Sequence, residues 1–268
     1  MSDSWTENDL KDLGDAVKFT EEVSFVARLG DLVGRPIEKI FKILPAGASK
    51  KVSSAVEASL RKSLGVAVST MDTTARSKAA SNLAHKTAVG TSGAVGGVFG
   101  LPALGIELPI STTIMLRSIA DIARSEGEDL ASLSVRLECL SVFALGGQSE
   151  QDDTAESGYF AARAGLAIAL QNAAQHIAKR GLADAAAPPI VRLISQIAAR
   201  FSGVVGEKIA AGGVPLLGAI GGATINVLFM DHFQDVAKGH FIVRRLERKH
   251  GTDEVKQRYE AIRAGEDP

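Results

Sequence analysis

The chain has 268 residues, of which 46% are hydrophobic and 23% charged, with a formal net charge of −1. A near-neutral balance with only 5% aromatic residues supplies neither the cation excess nor the stacking platforms that general nucleic-acid binding needs. Cys139 is the single cysteine, which excludes an intramolecular disulfide and a cysteine-rich zinc site.

Residues 1–7 are polar and acidic, with no apolar run behind them, so no secretory signal is expected and a cytoplasmic location is the default reading. Helical periodicity then dominates the chain and strand alternation is missing, which predicts an all-α, single multi-helix domain. Residues 1–45 read as an N-terminal helical arm and 46–264 as the main domain. Thr6 can cap a first helix with Asp9 three residues on, placing Leu10, Leu13 and Val17 on one face. A short helix after Pro36 carries Ile37, Ile40, Phe41 and Leu44. Val52, Val56, Leu60, Leu64 and Ala67 stripe the next helix, whose other face holds Lys50, Lys51, Arg61 and Lys62. That pattern suits a core-facing surface helix, and it also suits the surface of an anionic membrane.

Two glycine-rich stretches follow, 87–116 and 209–230. The first holds one ionisable side chain, Glu107, and the second, 22 residues long, holds none. Each is broken by a Pro-x-Leu-Gly turn, at Pro102 and Pro215, in register at an offset of 113 residues. The expectation is two central glycine-rich helix-turn-helix units, a candidate pseudo-repeat. Gly93, Ala94 and Gly97 show the small-residue spacing that lets helices approach closely, as Gly96 and Gly100 do. The second stretch passes the length test for a membrane span, but its glycines and proline divide it into pieces too short to span singly. Both a buried core and a membrane-inserted hairpin fit these stretches.

After Pro102 a helix is predicted from about Leu108 to Glu126, and another over Leu130–Leu145, stopping at Gly146-Gly147. Gln148–Glu156 reads as a polar loop before an Ala-rich helix to about Arg180. Pro188-Pro189 opens a helix toward Ile209. A long helix from about Ile220 to Lys249 is followed by a short charged tail.

Glu107, Ser111, Ser118, Asp121 and Ser125 fall within one narrow arc of the helix after Pro102, a polar seam on an otherwise apolar element. Its bland explanation places Glu107 at the helix start and pairs Asp121 with Arg117. On the last long helix, Asn226, His240 and Arg244 align with Phe233 and Ala237. Asp231 and Asp235 point the other way, toward Lys238 and Arg245, as a solvated face. His232 and His240 are eight residues apart, the wrong spacing for a two-histidine metal site on one face, and no metal or cofactor is expected. His85 and His176 are isolated. No phosphate-binding G-x-x-x-x-G-K-[ST] loop and no G-x-S-x-G elbow occurs.

Four blocks carry a family resemblance: LPALGIELPISTTIMLRSIADIARSEGEDL (101–130), RLECLSVFALGG (136–147), ESGYFAARA (156–164) and INVLFMDHFQDVAKGHFIVRRLERKHG (225–251). Together they resemble the EcsC protein family over about residues 45–260. The resemblance implies a bacterial protein, some of whose relatives are encoded beside ABC-transporter components, and implies no established biochemical activity. Inside the blocks the polar positions are Glu107, Arg117, Asp121, Glu156, Tyr159, Asn226, His232, His240 and Arg244.

Three expectations follow. The first is a non-enzymatic accessory protein, peripheral to the inner face of a membrane and contacting that membrane or a transport component. The second is a hydrolase or other enzyme with Glu107, Asp121, His232 and His240 as catalytic groups. Arg117, Tyr159, Asn226 and Arg244 would then be its binding groups. The third is a binder of a lipid or another apolar small molecule.

Overall fold

The computed structural model describes residues 4–22, 25, 28–30, 48–70, 104–147, 158–182, 184, 186–212 and 222–266. The turns at Pro102 and Pro215, the helix after Pro36, Gly93–Gly100, His85 and the loop 148–156 lie outside them. The described elements are all helical: α1 Glu7–Val17, continued by a π-helical turn Lys18–Glu22, then α2 Ala48–Thr70, α3 Leu104–Ser125, α4 Leu133–Leu145, α5 Gly158–Arg180, α6 Pro188–Gly212, α7 Gly222–His250 and α8 Thr252–Arg263.

The predicted stripe of α2 is the buried one, with Val52, Val56, Leu60, Leu64 and Ala67 all inside and Lys50, Lys51 and Lys62 exposed. α3 begins a turn earlier than the sequence suggests, so Pro109 lies inside it. A proline there removes the bond its N–H would make to the Gly105 carbonyl, and Gly105 is exposed, so water can serve that group. Gly146 and Gly147 end α4 as expected, but the Gly146 cap has φ −79, an ordinary helical value. Close approach accounts for this glycine, because a Cβ on Gly146 would stand 2.6 Å from the Phe233 ring.

α7 is the central element, with Phe229, Phe233, Ala237, His240, Phe241 and Val243 fully enclosed. Phe143 of α4, Phe201 of α6 and Phe229 and Phe233 of α7 form one ring cluster, with centroids 4.9–6.1 Å apart. Such pairs add to plain area burial.

The predicted arm is well packed where it is described. Leu13, Ala16 and Val17 are buried, and α1 lies against α7 and α8. The capping box is complete with Asp9, whose carboxylate accepts the Thr6 N–H while the Thr6 hydroxyl accepts the Asp9 N–H. The charged tail is a helix, α8, which buries only Val255 and Tyr259. Gly251, at φ +93, makes the sharp turn into it.

α3 and α7 run in the same sense. Glu107 meets Asn226, Ser118 meets Gln234 and Glu126 meets Arg245, an ascending series along both helices. α2 packs on α3 in that sense too, because its last carbonyls, Ala67 and Val68, bond to Arg136, as does Ala131 just beyond α3. The starts of α2, α3 and α7 and the end of α6 therefore share one pole of the fold.

Candidate functional site

At that pole Glu107, in the first turn of α3, accepts from Lys208 Nζ at 2.6 Å and from Asn226 Nδ2 at 3.3 Å. Three helices are thus tied through one carboxylate oxygen. Lys208 is 9% exposed, and its ammonium lies 4.8 Å from the centroid of Phe229. Burial lowers its pKa, and the Glu107 charge and hydrogen bond oppose that shift. Next to it in sequence, the half-buried Glu207 is pushed up to about 7 by desolvation. Outside this polar plug the pole is apolar and basic. Ile106 is 73% exposed and Ile110 41%, one turn apart on the same face of α3. Lys50 and Lys51 stand exposed in the first turn of α2, which holds no acidic residue. The sequence just before α3, 87–103, and that between α6 and α7, 213–221, carry no ionisable side chain.

The rest of the polar seam is satisfied piecemeal. Ser111 and Ser125 donate to the carbonyls of Leu108 and Ile122 within α3. Ser118, fully buried, accepts from Gln234 of α7 at 2.7 Å. Asp121 pairs with Arg124 at 2.7 Å, correcting the expected Arg117 pairing; Arg117 is exposed. The expected solvated face of Asp235 is also corrected. Its carboxylate is 18% exposed and held by Arg28 at 2.5 Å and Lys238 at 2.7 Å. Arg245 reaches instead to Asp12 and Glu126.

A second polar cluster lies farther along α7. The Tyr159 hydroxyl is 2.9 Å from His240 Nδ1, and His240 Nε2 is 3.5 Å from Glu138 Oε2. Arg163 donates to the Tyr159 oxygen at 3.4 Å and makes a two-point bond to Glu247 at 2.8 and 2.9 Å. Assigning protons by this network makes Tyr159 the donor to Nδ1, leaving the other ring proton on Nε2, facing Glu138. Burial would raise the Glu138 pKa, but the hydrogen bond and charge of His240 and the Arg244 and Arg163 guanidinium groups outweigh it and hold it at about 2. Burial lowers the His240 pKa and favours the neutral ring. Burial likewise raises the Tyr159 hydroxyl and the Cys139 thiol well above their ordinary values, so neither supplies an anionic nucleophile at neutral pH. Glu128, 8% exposed, is clamped by Arg244 at 2.7 and 3.2 Å and by Arg248.

The four residues read as catalytic do not meet. Glu107 and Asp121 are fourteen residues apart on α3, about 21 Å along its axis. His232 bonds the Gly146 carbonyl at 2.7 Å, while His240, about 12 Å along α7, faces Tyr159 and Glu138. What the fold does bring together is Glu107 with Asn226, and Tyr159 with His240. Lys208, Glu138, Arg163 and Glu128 complete these clusters and were not singled out from sequence. Glu138 carried a signal, a lone carboxylate between the buried Leu137 and Cys139. Among the described residues no group of three or more His, Cys, Asp or Glu is placed to hold a metal ion, and no helix is long and apolar enough to cross a membrane.

The model of the EcsC protein family matches residues 10–246, taking in most of the N-terminal segment that the sequence blocks left out. No curated protein and no solved structure matches the chain.

Proposed function

The chain belongs to the EcsC protein family, and from that premise we propose that it is a membrane-proximal interaction protein that docks on an anionic membrane through the pole around Glu107. The observation that carries this reading is the exposed pair Ile106 and Ile110 at the start of α3, at the same pole as the exposed Lys50 and Lys51 at the start of α2. Two isoleucines leaving water and two lysines near anionic headgroups contribute roughly 5 kcal/mol together, enough for reversible, peripheral contact. The ion pair between Glu107 and Lys208 keeps the polar ends of α3, α6 and α7 closed beneath that surface. An enzymatic reading finds less support, because Tyr159 and His240 are almost fully enclosed by their own neighbours.

Flotation with vesicles of phosphatidylglycerol and phosphatidylethanolamine tests the proposal. The protein is expected to float with them, to float less at 0.5 M salt, and to stay in solution with phosphatidylcholine alone. Ile106→Asp with Ile110→Asp, both on exposed side chains, is expected to abolish flotation without unfolding the chain. A wild-type protein that never floats sinks the docking idea, as does a double variant that floats unchanged. Capture of a membrane transport protein with no direct lipid binding would replace lipid by a protein partner.

A further inference from the structure

The hairpin of α5 and α6 leaves a groove of about 840 Å³ at its closed end, within the size range of small-molecule sites. Lys179 and Arg180 line it from the end of α5 and Arg192 from the start of α6. All three are exposed, and none is ion-paired with another described residue. Among the described residues no carboxylate lines the groove. Asp184, in the connection between the two helices, turns an oxygen to the Ala186 N–H. Lys179 and Arg180 have a structural reason to end α5, where the helix dipole favours cations; Arg192, near the positive end of α6, has none. The fold therefore gathers three like charges around one concavity without an internal counter-charge, an arrangement that a bound anion relieves.

A second observation points the same way. His176 lines the groove, and its Nε2 is enclosed with no hydrogen-bond partner among the described residues. A buried polar atom left unmatched is uncommon unless something else serves it. Asn172 and Gln196 add amides on the two walls, and the floor between them is alanine, valine and proline. Cations with a planar fork, a ring nitrogen and amides over an apolar floor suit a phosphate group carrying an apolar body.

We propose that this groove binds a phosphate ester, its phosphate held by Lys179, Arg180 and Arg192, with the His176 ring turning to bring Nε2 out to it. A phospholipid headgroup offers the same chemistry as a soluble phosphate ester. Arg192 is sixteen residues from Lys208, about 24 Å along α6 from the proposed docking pole, so the groove faces solvent while that pole meets a membrane. The ligand is therefore the soluble one. Phosphate binding in the groove stands without the membrane reading, and only the choice of the soluble ester rests on it.

Calorimetry with phenyl phosphate, inorganic phosphate and phenol tests it. Phenyl phosphate is expected to bind at 0.15 M salt, inorganic phosphate at least tenfold more weakly and phenol not at all. Arg192→Ala, and separately Lys179→Ala with Arg180→Ala, are expected to weaken phenyl phosphate at least tenfold, and His176→Ala at least threefold. Flotation of the Arg192 variant is expected to match the wild type. Absence of phenyl phosphate binding, or binding that all three variants retain unchanged, overturns the proposal. Loss of flotation in the Arg192 variant overturns the soluble source and transfers the groove to lipid.

Discussion

Gly147 and Arg200 are in direct backbone contact: a Cβ built on Gly147 falls 2.5 Å from the Arg200 carbonyl oxygen. The Arg200 side chain returns the contact by donating from Nε to the Ala144 carbonyl at 2.9 Å. The end of α4 is thus packed against the backbone of the middle of α6 and tied to it by one side-chain bond. Gly147→Ala is expected to cost about 2–3 kcal/mol, because backbone cannot yield as a flexible side chain would. Gly165, inside α5 with nothing within 4 Å of a built Cβ, makes the contrast. Gly165→Ala is expected to stabilise by roughly 0.5–1 kcal/mol through helix propensity alone. Urea denaturation of the two variants checks both signs.

Tyr159→Phe deletes the hydroxyl between His240 Nδ1 and Arg163 and leaves a fully enclosed ring nitrogen without its donor. The expected cost is about 1–3 kcal/mol, the penalty for an unsatisfied buried polar group. Ring stacking on Tyr259, at 5.6 Å between centroids, is kept by phenylalanine. A variant as stable as the wild type would remove the bond from any structural role.

Acid should loosen this same cluster. Glu138 titrates at about 2 in the folded chain against an ordinary 4.5, so its contribution is complete above 4.5 and is lost as pH falls through 2. His240 is lowered from 6.5 by burial, so its neutral form adds stability above that pH and surrenders it below. Urea midpoints measured from pH 4.5 down to 3 are expected to fall. Glu138→Gln is expected to flatten the limb below 4.5, and a curve of unchanged shape would show that Glu138 is not its source.

Glu207 has the opposite sign. Desolvation raises it from 4.5 to about 7, so its protonated form favours folding below 4.5 and that advantage disappears as pH rises through 7. Glu207→Gln is expected to leave stability unchanged at pH 4.5, to raise it at pH 8, and to remove the slope between. A thermal melt series across those values reads it directly.

Periodicity carried most of the fold and little of the polar architecture. The stripe from Val52 to Ala67 was legible because burial repeats along one helix, and α5 and α6 were bounded by the polar run ending at Glu156 and by Pro188-Pro189. α8 was missed because two buried residues, Val255 and Tyr259, make too narrow a stripe to stand out among charges. Asp121 chose Arg124 over Arg117, since i,i+3 and i,i+4 partners are equally available from spacing and only the surroundings decide between them. The clusters themselves lie beyond such reading. Glu107 finds Lys208 across 101 positions and Arg163 finds Glu247 across 84, and spacing within one helix holds no information about either.

The attachment of α1 bears on how the chain is made. Asp12 reaches Arg245, Asp9 reaches Lys249 and the Trp5 indole donates to Glu254, contacts spanning 233 to 249 positions. On a ribosome delivering residues in order, the surface of Leu13, Ala16 and Val17 is synthesised first and covered last. α1 therefore leaves the ribosome long before the helix it is shaped to meet, and closure of this fold waits on α7 and α8.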